Sequence, residues 1–476
     1  MLTSTSRVAR RRKRPGRETS RVTTDRKPRP PLPGGPYLVV GLARSGAAVA
    51  RALADRGEEV LGVDAGHPEE AEGLADAGVE VKLDAEGVEL VERARCVVKS
   101  PGVPGGAPVV DAARARGLPV LGELEVAWRL VPNRFIAVTG TNGKTTVTEL
   151  IGHIHRRAAL PVAVAGNVGT PLASLADDVA PDATVVCECS SFQLEDTEAF
   201  APECAVFLNF APDHLDRHPT LEDYLDAKLR IFANQGNDDV AVYNGDEPAL
   251  RGRDLGGCGR RVAFCHGRGG DPDCAVAVEE GVVFWADEPL IEVDRVPLIG
   301  PHNVGNAMAA AAAALATGVP EDAVRDGVAD FPGVPHRLER VAEIGGVVFV
   351  NDSKATNVAA AAAALRSFDG GVHAILGGSL KGEGFEELVD PVVERCASCH
   401  LIGEAAERME RDLAPARRAG VELRRADGLE PAVRAAAGAA SPGEVVLLAP
   451  ACASFDAYRD FEARGEHFRS IVEGLR

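Results

Sequence analysis

Residues 138–146 read Val-Thr-Gly-Thr-Asn-Gly-Lys-Thr-Thr, and no other stretch restricts the possible folds of this chain as much. An apolar run from Phe135 to Val138 enters it in the manner of a buried strand, and an apolar-periodic stretch from Val147 leaves it with helical spacing. A strand, a glycine turn and a helix in that order are the parts of a phosphate cradle. Gly140 and Gly143 permit backbone angles that aim successive N–H groups at an anion, and the helix N-terminus adds the positive end of its dipole. Lys144 then reaches β- and γ-phosphates, and Thr145 offers a hydroxyl to Mg2+. The loop is shorter than the usual nucleotide loop, because Val138 stands where the first widely spaced glycine would be.

The chain has 476 residues, enough for about three domains. Aromatic residues make up only 4%, so cores must be built from Ala, Val and Leu. No run of about 18 apolar residues occurs, so no membrane span is expected. The net charge of −19 is uneven: residues 1–30 hold eleven Arg or Lys against Glu18 and Asp25, which leaves the remainder more acidic still. An acidic body argues against nucleic acid as a partner. Residues 1–35 read as a disordered basic tail and a Pro-rich linker, without the apolar core of a secretory signal. Ten cysteines show no paired framework, which fits reduced thiols and a cytoplasmic location. Cys396-Ala-Ser-Cys399-His400 has haem-attachment spacing but runs straight into strand-like Leu401 and Ile402, so it reads as coincidence.

Beyond the linker the chain reads as three βα-type regions in series: 36–130, 131–333 and 334–476. In the first, Tyr37 to Val40 is a strand, Gly41-Leu-Ala-Arg44-Ser45-Gly46 a turn and Ala47 to Arg56 a helix; a second strand ends in Asp64, about where a ribose-binding acid would sit. That glycine spacing is not the dinucleotide fingerprint, so either a different nucleotide-like ligand or plain close packing of helix on strand accounts for it. Val97-Val98-Lys99-Ser100-Pro101-Gly102 is a strand entering a rigid turn. The second region has strands at Phe135 to Val138, Val162 to Ala165, Thr184 to Glu188 and Ala205 to Asn209, with helices near Leu221 to Phe232 and Asn303 to Ala316, hence a parallel sheet covered on both faces. The third has strands at Val347 to Asn351, Ala374 to Leu376, His400 to Ile402 and Val445 to Leu448.

Phosphoryl transfer needs metal ligands beside the phosphate loop. Glu188, a carboxylate at a strand C-terminus, is well placed for that, and His214, which follows another apolar strand, is within the repertoire of cation ligands. A structural role remains open for each: a cap or surface acid for Glu188, a packed imidazole for His214. Lys228, on a helix, reads from spacing as a solvated face residue.

At these residues the chain resembles the Mur ligases, ATP-dependent enzymes of peptidoglycan synthesis that join an amino acid to a UDP-muramoyl carboxylate. Gly140-Thr-Asn-Gly-Lys-Thr-Thr146, Gly-Asn167-Val-Gly, His302-Asn303-Val-Gly-Asn306 and Pro335-His-Arg337 carry the likeness. Ser190-Ser-Phe-Gln-Leu-Glu195, Asn351-Asp-Ser-Lys-Ala-Thr-Asn357 and Ala451-Cys-Ala-Ser-Phe-Asp456 point to the members that add D-glutamate. The resemblance spans residues 36–476. It implies an α/β protein of three domains: a Rossmann-like N-terminal domain that binds UDP, a central P-loop ATPase with a parallel sheet, and a Rossmann-like C-terminal domain for the amino acid. ATP would lie on Gly140, Thr141, Asn142, Gly143, Lys144, Thr145 and Thr146, and on Asn306, Arg337 and Asp352. Two Mg2+ ions would be held by Thr145, Glu188, His214 and a carbamylated Lys228, with Lys144, His214 and Lys228 carrying the chemistry. UDP-N-acetylmuramoyl-L-alanine would meet Arg44, Ser45, Asp64, Ser100 and Asn167, and D-glutamate would meet Thr356, Lys381, Ser454 and Phe461. The resemblance implies a monomer. Two other readings compete: another amide ligase on the same scaffold, which the Ser-Phe-Gln-Leu-Glu and Ala-Ser-Phe-Asp strings oppose, and a nucleotide-dependent regulatory ATPase, which would need no third region.

Overall fold

The computed structural model describes residues 27–214, 217–267, 271–380 and 384–476. The basic run before Lys27 therefore lies outside the described residues. The chain forms two compact units, one of residues up to Val296 with Gly305–Ala329, the other of Pro297–Val304 with Asp330–Arg476.

The first unit carries two sheets. In one, strands β1 (Tyr37–Val40), β2 (Val60–Val63), β3 (Glu80–Lys82), β4 (Cys96–Lys99) and β5 (Val120–Gly122) lie in the order β3-β2-β1-β4-β5, all parallel. That order reverses direction between β1 and β4, so a crevice opens beyond their C-terminal ends, where open α/β sheets bind ligands.

The second sheet has β6 (Arg134–Thr139), β7 (Val162–Gly166), β8 (Thr184–Glu188), β9 (Cys204–Phe207), β10 (Val240–Asn244), β11 (Arg260–Cys265), β12 (Cys274–Glu279), β13 (Val282–Trp285) and β14 (Glu288–Glu292). Their order is β14-β13-β12-β11-β10-β9-β6-β8-β7, and β12, β13 and β14 pair antiparallel. The all-parallel expectation therefore fails at this edge. The β12–β13 turn is two residues, Glu280 (φ 47°) and Gly281 (φ 78°), the left-handed pair that matches the twist of a tight hairpin. β9 also stops at Phe207, short of the expected Asn209, because Asn209 turns away to brace the phosphate loop.

Scarce aromatics are concentrated where these two sheets share a core. Trp128 meets Phe200 edge-on at 5.8 Å, and Phe200 meets Phe135 at 6.5 Å. Residues 27–31, expected as the end of a disordered basic tail and the start of the linker, are instead anchored on this same core. Lys27 donates to the Ala201 carbonyl at 3.1 Å, and the Arg29 guanidinium lies 4.2 Å from the Trp128 ring centroid and 5.0 Å from that of Phe135. Alanine does the rest: Ala307 and the run from Ala309 to Ala314 in the helix Pro301–Ala316 are all buried, as the unbroken run of small residues predicts.

In the second unit, β15 (Glu339–Ile344), β16 (Val347–Asn351), β17 (Val372–Gly377), β18 (Cys396–Ile402), β19 (Glu422–Arg425) and β20 (Val445–Leu448) run β15-β16-β20-β17-β18-β19, with only β15 antiparallel. Val350, Leu376, Leu401 and Leu447 pack on one face and Phe349, Ile375, Val446 and Leu448 on the other. Successive residues point to opposite faces, so both faces are covered, and near-continuous apolar strands are the result. The Cys396–His400 string lies within β18, paired to its neighbours along its length. Among the described residues, no helix is long and apolar enough to cross a membrane.

Candidate active site

The loop after β6 folds as a cradle. Gly143 is left-handed (φ 83°) and caps the helix Lys144–Arg157. A Cβ there would stand 2.3 Å from the Asn306 Oδ1, so glycine is required both by the backbone angle and by the neighbour. Lys144 folds back over the loop, with Nζ 3.0 Å from the Gly140 carbonyl and 2.9 Å from that of Thr141. Thr145 donates from Oγ1 to Glu188 Oε2 at 2.8 Å, and Asn167 Nδ2 donates to Oε1 of the same carboxylate at 3.2 Å. Glu188, buried at the end of β8, is thus joined to the helix start and to the Asn167 turn. Thr146 is buried one residue further on. Thr141 shares its hydroxyl with Ala211, accepting from the N–H at 3.1 Å and donating to the carbonyl at 3.2 Å. Asn209 braces Asn142 from both sides, accepting its N–H at 2.8 Å and donating to its carbonyl at 3.1 Å. Asn209 was legible only as the end of a strand.

Lys228 departs from the solvated-face reading. It is 2% exposed, and its Nζ donates to the Gly140 carbonyl at 2.8 Å and lies 4.6 Å from the Tyr224 ring centroid. Burial, reinforced by the charge of Lys144, pushes its ammonium down to about 7.

His214 adopts a left-handed backbone (φ 54°), rare for a residue with a side chain. Its carbonyl accepts the N–H of both Arg217 and His218, and its ring leans on Phe192 at 4.9 Å and Tyr224 at 6.0 Å. Arg217 stacks on Phe192 at 4.6 Å and donates to the carbonyls of Pro101, Gly102 and Val103 at 3.2–3.3 Å. The His214 turn is thereby clamped to the turn after β4. Among the described residues, no three His, Cys, Asp or Glu side chains gather as a metal cage.

A cavity of about 810 Å³ opens beyond β1 and β4, lined by Arg44, Ser45, Asp64, Ser100, Asn167 and Gln193 among others. Five of these are sequence-predicted site residues, brought together from three βα turns and the Asn167 loop. Their local duties are visible. Asp64 accepts the N–H of Leu42 at 2.7 Å and of Gly66 at 2.8 Å, and Ser100 donates to the Gly41 carbonyl at 2.7 Å. Arg44 donates to the Gly169 carbonyl. Gly46 is unavoidable, since a Cβ there would stand 1.8 Å from the Gly41 carbonyl oxygen. Gln193 was missed, although Ser190 and Gln193 form a capping box whose Ser-x-x-Gln pattern is readable. Its Nε2 donates at 3.3 Å to Glu123, a fully buried carboxyl pushed up to about 7 by desolvation.

In the second unit, Asp352 and Thr356 lie in the turn after β16, Ser454 in the turn after the neighbouring strand β20, and Phe461 at the start of the helix Phe461–Glu473. Burial raises the Asp352 carboxyl to about 6, against the N–H of Leu338 at 3.2 Å and the charges of Arg337 and Lys354, which lower it. The Lys354 ammonium is 5.6 Å from the Phe461 ring centroid. The turns after the two strands are tied by the Ala451 N–H, which donates to the Ala355 carbonyl at 2.9 Å. Arg464, also missed, is buried among these turns, and desolvation lowers its guanidinium to about 10. Lys381 lies outside the described residues.

Three family models match the chain: the MurD-like N-terminal domain over residues 36–122, the Mur ligase middle domain over 138–314, and the Mur ligase glutamate ligase domain over 336–452. The UDP-N-acetylmuramoylalanine–D-glutamate ligase of Acidobacterium capsulatum is 44% identical, covering 93% of this chain and 96% of its own length. That of Pelotomaculum thermopropionicum is 42% identical, covering 92% and 97%. Among solved structures, the UDP-N-acetylmuramate–alanine ligase of Thermotoga maritima shares the fold at 19% identity and a TM-score of 0.58, over 93% of this chain and 100% of that one. With family models on all three regions and relatives at this identity over nearly the whole chain, the protein belongs to the Mur ligase family, in the branch of the UDP-N-acetylmuramoylalanine–D-glutamate ligases.

Proposed function

We propose that this chain is an ATP-dependent amide ligase that adds D-glutamate to the terminal carboxyl of UDP-N-acetylmuramoyl-L-alanine. The observation that carries this reading is the phosphate cradle: Gly143 pressed against Asn306, Lys144 over the loop, and the Thr145 hydroxyl 2.8 Å from the Glu188 carboxylate. The relatives' names supply the substrates.

A carboxylate does not condense with an amine in water, because its oxygen is a poor leaving group. In the proposed first step the alanine carboxylate oxygen attacks the γ-phosphorus of ATP and ADP leaves, giving an acyl phosphate. In the second, the D-glutamate amine attacks the acyl carbon, loses a proton, and phosphate departs. Lys144 offsets charge on the phosphoryl oxygens, and the loop N–H groups orient them. A hydroxyl and a carboxylate side by side suit a hard cation, so Thr145, Glu188 and His214 are the residues that would hold Mg2+, which supplies charge neutralisation at the transferred group. Lys228 suits carbamylation because burial keeps its amine close to neutral, and a neutral amine is the form that adds CO2; a carbamate there would serve a second ion. Asn306, Arg337 and Asp352 would complete the ATP site. Arg44, Ser45, Asp64, Ser100 and Asn167 would hold the nucleotide sugar, with Thr356, Lys381, Ser454 and Phe461 around D-glutamate. We read 36–130, 131–333 and 334–476 as the corresponding domains of a cytoplasmic monomer.

The test is phosphate release with ATP, Mg2+, UDP-N-acetylmuramoyl-L-alanine and a panel of amino acids. D-glutamate is expected to be the only strong stimulator, and Lys144→Ala to abolish release while the fold stays intact. Strong stimulation by a diamino acid instead, or amino-acid-independent hydrolysis, would refute the assignment.

A further inference from the structure

Arg464 stands in the first turn of the helix Phe461–Glu473 and is 1% exposed. Its Nε donates to the Ser353 hydroxyl at 3.0 Å, one terminal nitrogen donates to the Ala453 carbonyl at 3.2 Å, and the other donates to the carbonyls of Ser353 and Cys452 at 2.9 and 3.1 Å. The Ser353 hydroxyl donates in turn to the Phe461 carbonyl at 2.8 Å. One side chain therefore ties together three strips distant in sequence: the turn after β16, the turn after β20 and the start of the last helix. Those strips carry Asp352, Thr356, Ser454 and Phe461.

The charge of this guanidinium is not met by an acid. Among the described residues no carboxylate lies within ion-pair distance of it, and Asp456, whose field it feels, is engaged by Ser379 and the Glu404 N–H. The Ser353 hydroxyl and the carbonyl dipoles of Ser353, Cys452 and Ala453 hold the cation. A buried cation without an ion partner is costly, and a Leu or Met would avoid that cost only by leaving the Ser353, Cys452 and Ala453 acceptors unpaired. The planar fork accounts for arginine at this position: its donors reach acceptors on two strips, Ser353 and Cys452–Ala453, while its backbone belongs to the third, and an ammonium is a point donor that cannot do the same from one position. The helix start has no slack to compensate, because a Cβ on Gly465 would stand 2.1 Å from His336 Nδ1.

We propose that Arg464 is the positioning residue of the amino-acid pocket: it locks the Ser353, Cys452–Ala453 and Phe461 strips in one arrangement, and its uncompensated positive charge beneath them favours an amino acid with a second carboxylate over one with a neutral side chain. This rests on reading the chain as a D-glutamate ligase. The experiment is steady-state phosphate release by the full chain, with D-glutamate, ATP and the nucleotide sugar each varied in turn. The proteins are the wild type, Arg464→Lys, Arg464→Met and Ser353→Ala, with ADP binding as the check on folding. Arg464→Lys keeps the charge and loses the fork; its KM for D-glutamate is expected to rise about tenfold or more while KM for ATP stays within about twofold. Arg464→Met loses the charge too and is expected to raise it by about a further fivefold. An unchanged KM for D-glutamate, or an equal rise in all three KM values, overturns the proposal. If neither Arg464 variant binds ADP, Ser353→Ala is read in the same way, with a rise of about threefold expected and no rise overturning it. A wild type that D-glutamate does not stimulate refutes the underlying reading instead; a stimulated wild type whose variants keep its KM refutes only the role of Arg464.

Discussion

A methyl group at position 143 has no room. It would meet Asn306 Oδ1 at 2.3 Å, on a backbone at φ 83°. Gly143→Ala is expected to cost about 1–2 kcal/mol of stability and, by shifting the loop, about a hundredfold in kcat/KM for ATP. Melting and kinetics check the two parts separately. Lys228→Ala is expected to lose activity and to regain part of it with added short carboxylates, which would stand in for the proposed carbamate; unchanged activity would leave Lys228 as a packing residue. Asp352 gives a pH prediction. Its folded carboxyl sits near 6, above the ordinary 3.8. The fold binds that proton more tightly than the unfolded chain does, so stability falls as pH rises from about 4 through 6. Above pH 6 the ionised Asp352 costs about 2–3 kcal/mol. Asp352→Asn is therefore expected to melt higher than wild type at pH 8, with the gain vanishing near pH 4, while activity is lost. A pH-independent gain in Tm would contradict the sign.

At the scale of elements, β4 and the segment after the Ser191–Leu194 helix are joined by a buried ion pair, Lys99 to Asp196 at 2.8 Å, with Lys99 fully buried. Removing one partner strands the other charge, so Lys99→Met is expected to destabilise by about 3–5 kcal/mol, and Lys99→Met with Asp196→Leu by clearly less. Denaturant unfolding of Lys99→Met, Asp196→Leu and the double variant checks this, and additive losses would mean that the charges do not interact. The same turn receives Arg217, whose backbone N–H is bonded to the His214 carbonyl. The wall of the cavity beyond β1 and β4 and the histidine turn are thus one built assembly rather than two loops.

At the scale of the whole molecule, the first unit is finished by residues that precede its first strand. Arg29 lies against Trp128 and Phe135, and the Pro31 carbonyl accepts from Arg129 at 3.0 Å. A chain beginning at Lys27 keeps Arg29 and Pro31 and serves as the reference. One beginning at Leu32 is expected to lose about 1–2 kcal/mol, since the stacked guanidinium goes and its aromatic face is exposed. Equal Tm values for both truncations would remove Arg29 from the stability of the core.

What the sequence alone determined is what a short, contiguous stretch can encode. The phosphate loop was readable because its chemistry resides in consecutive backbone N–H groups, and glycine is the residue that permits them. The α/β class was readable because apolar strands alternate with helical spacing. Lys228 and Arg464 were not read from spacing, the first being taken as a solvated face residue and the second missed, although each occupies a buried helical stripe, Tyr224, Lys228 and Ile231 in one and Arg464, Phe468 and Ile471 in the other, where a cation is out of place. Tertiary structure alone decided the strand order that opens the cavity and the bracing of the loop by Asn209. It also decided the joining of three strips by one guanidinium. Those features depend on pairings between residues tens to more than a hundred positions apart, which local composition cannot specify and which burial of a shared core selects.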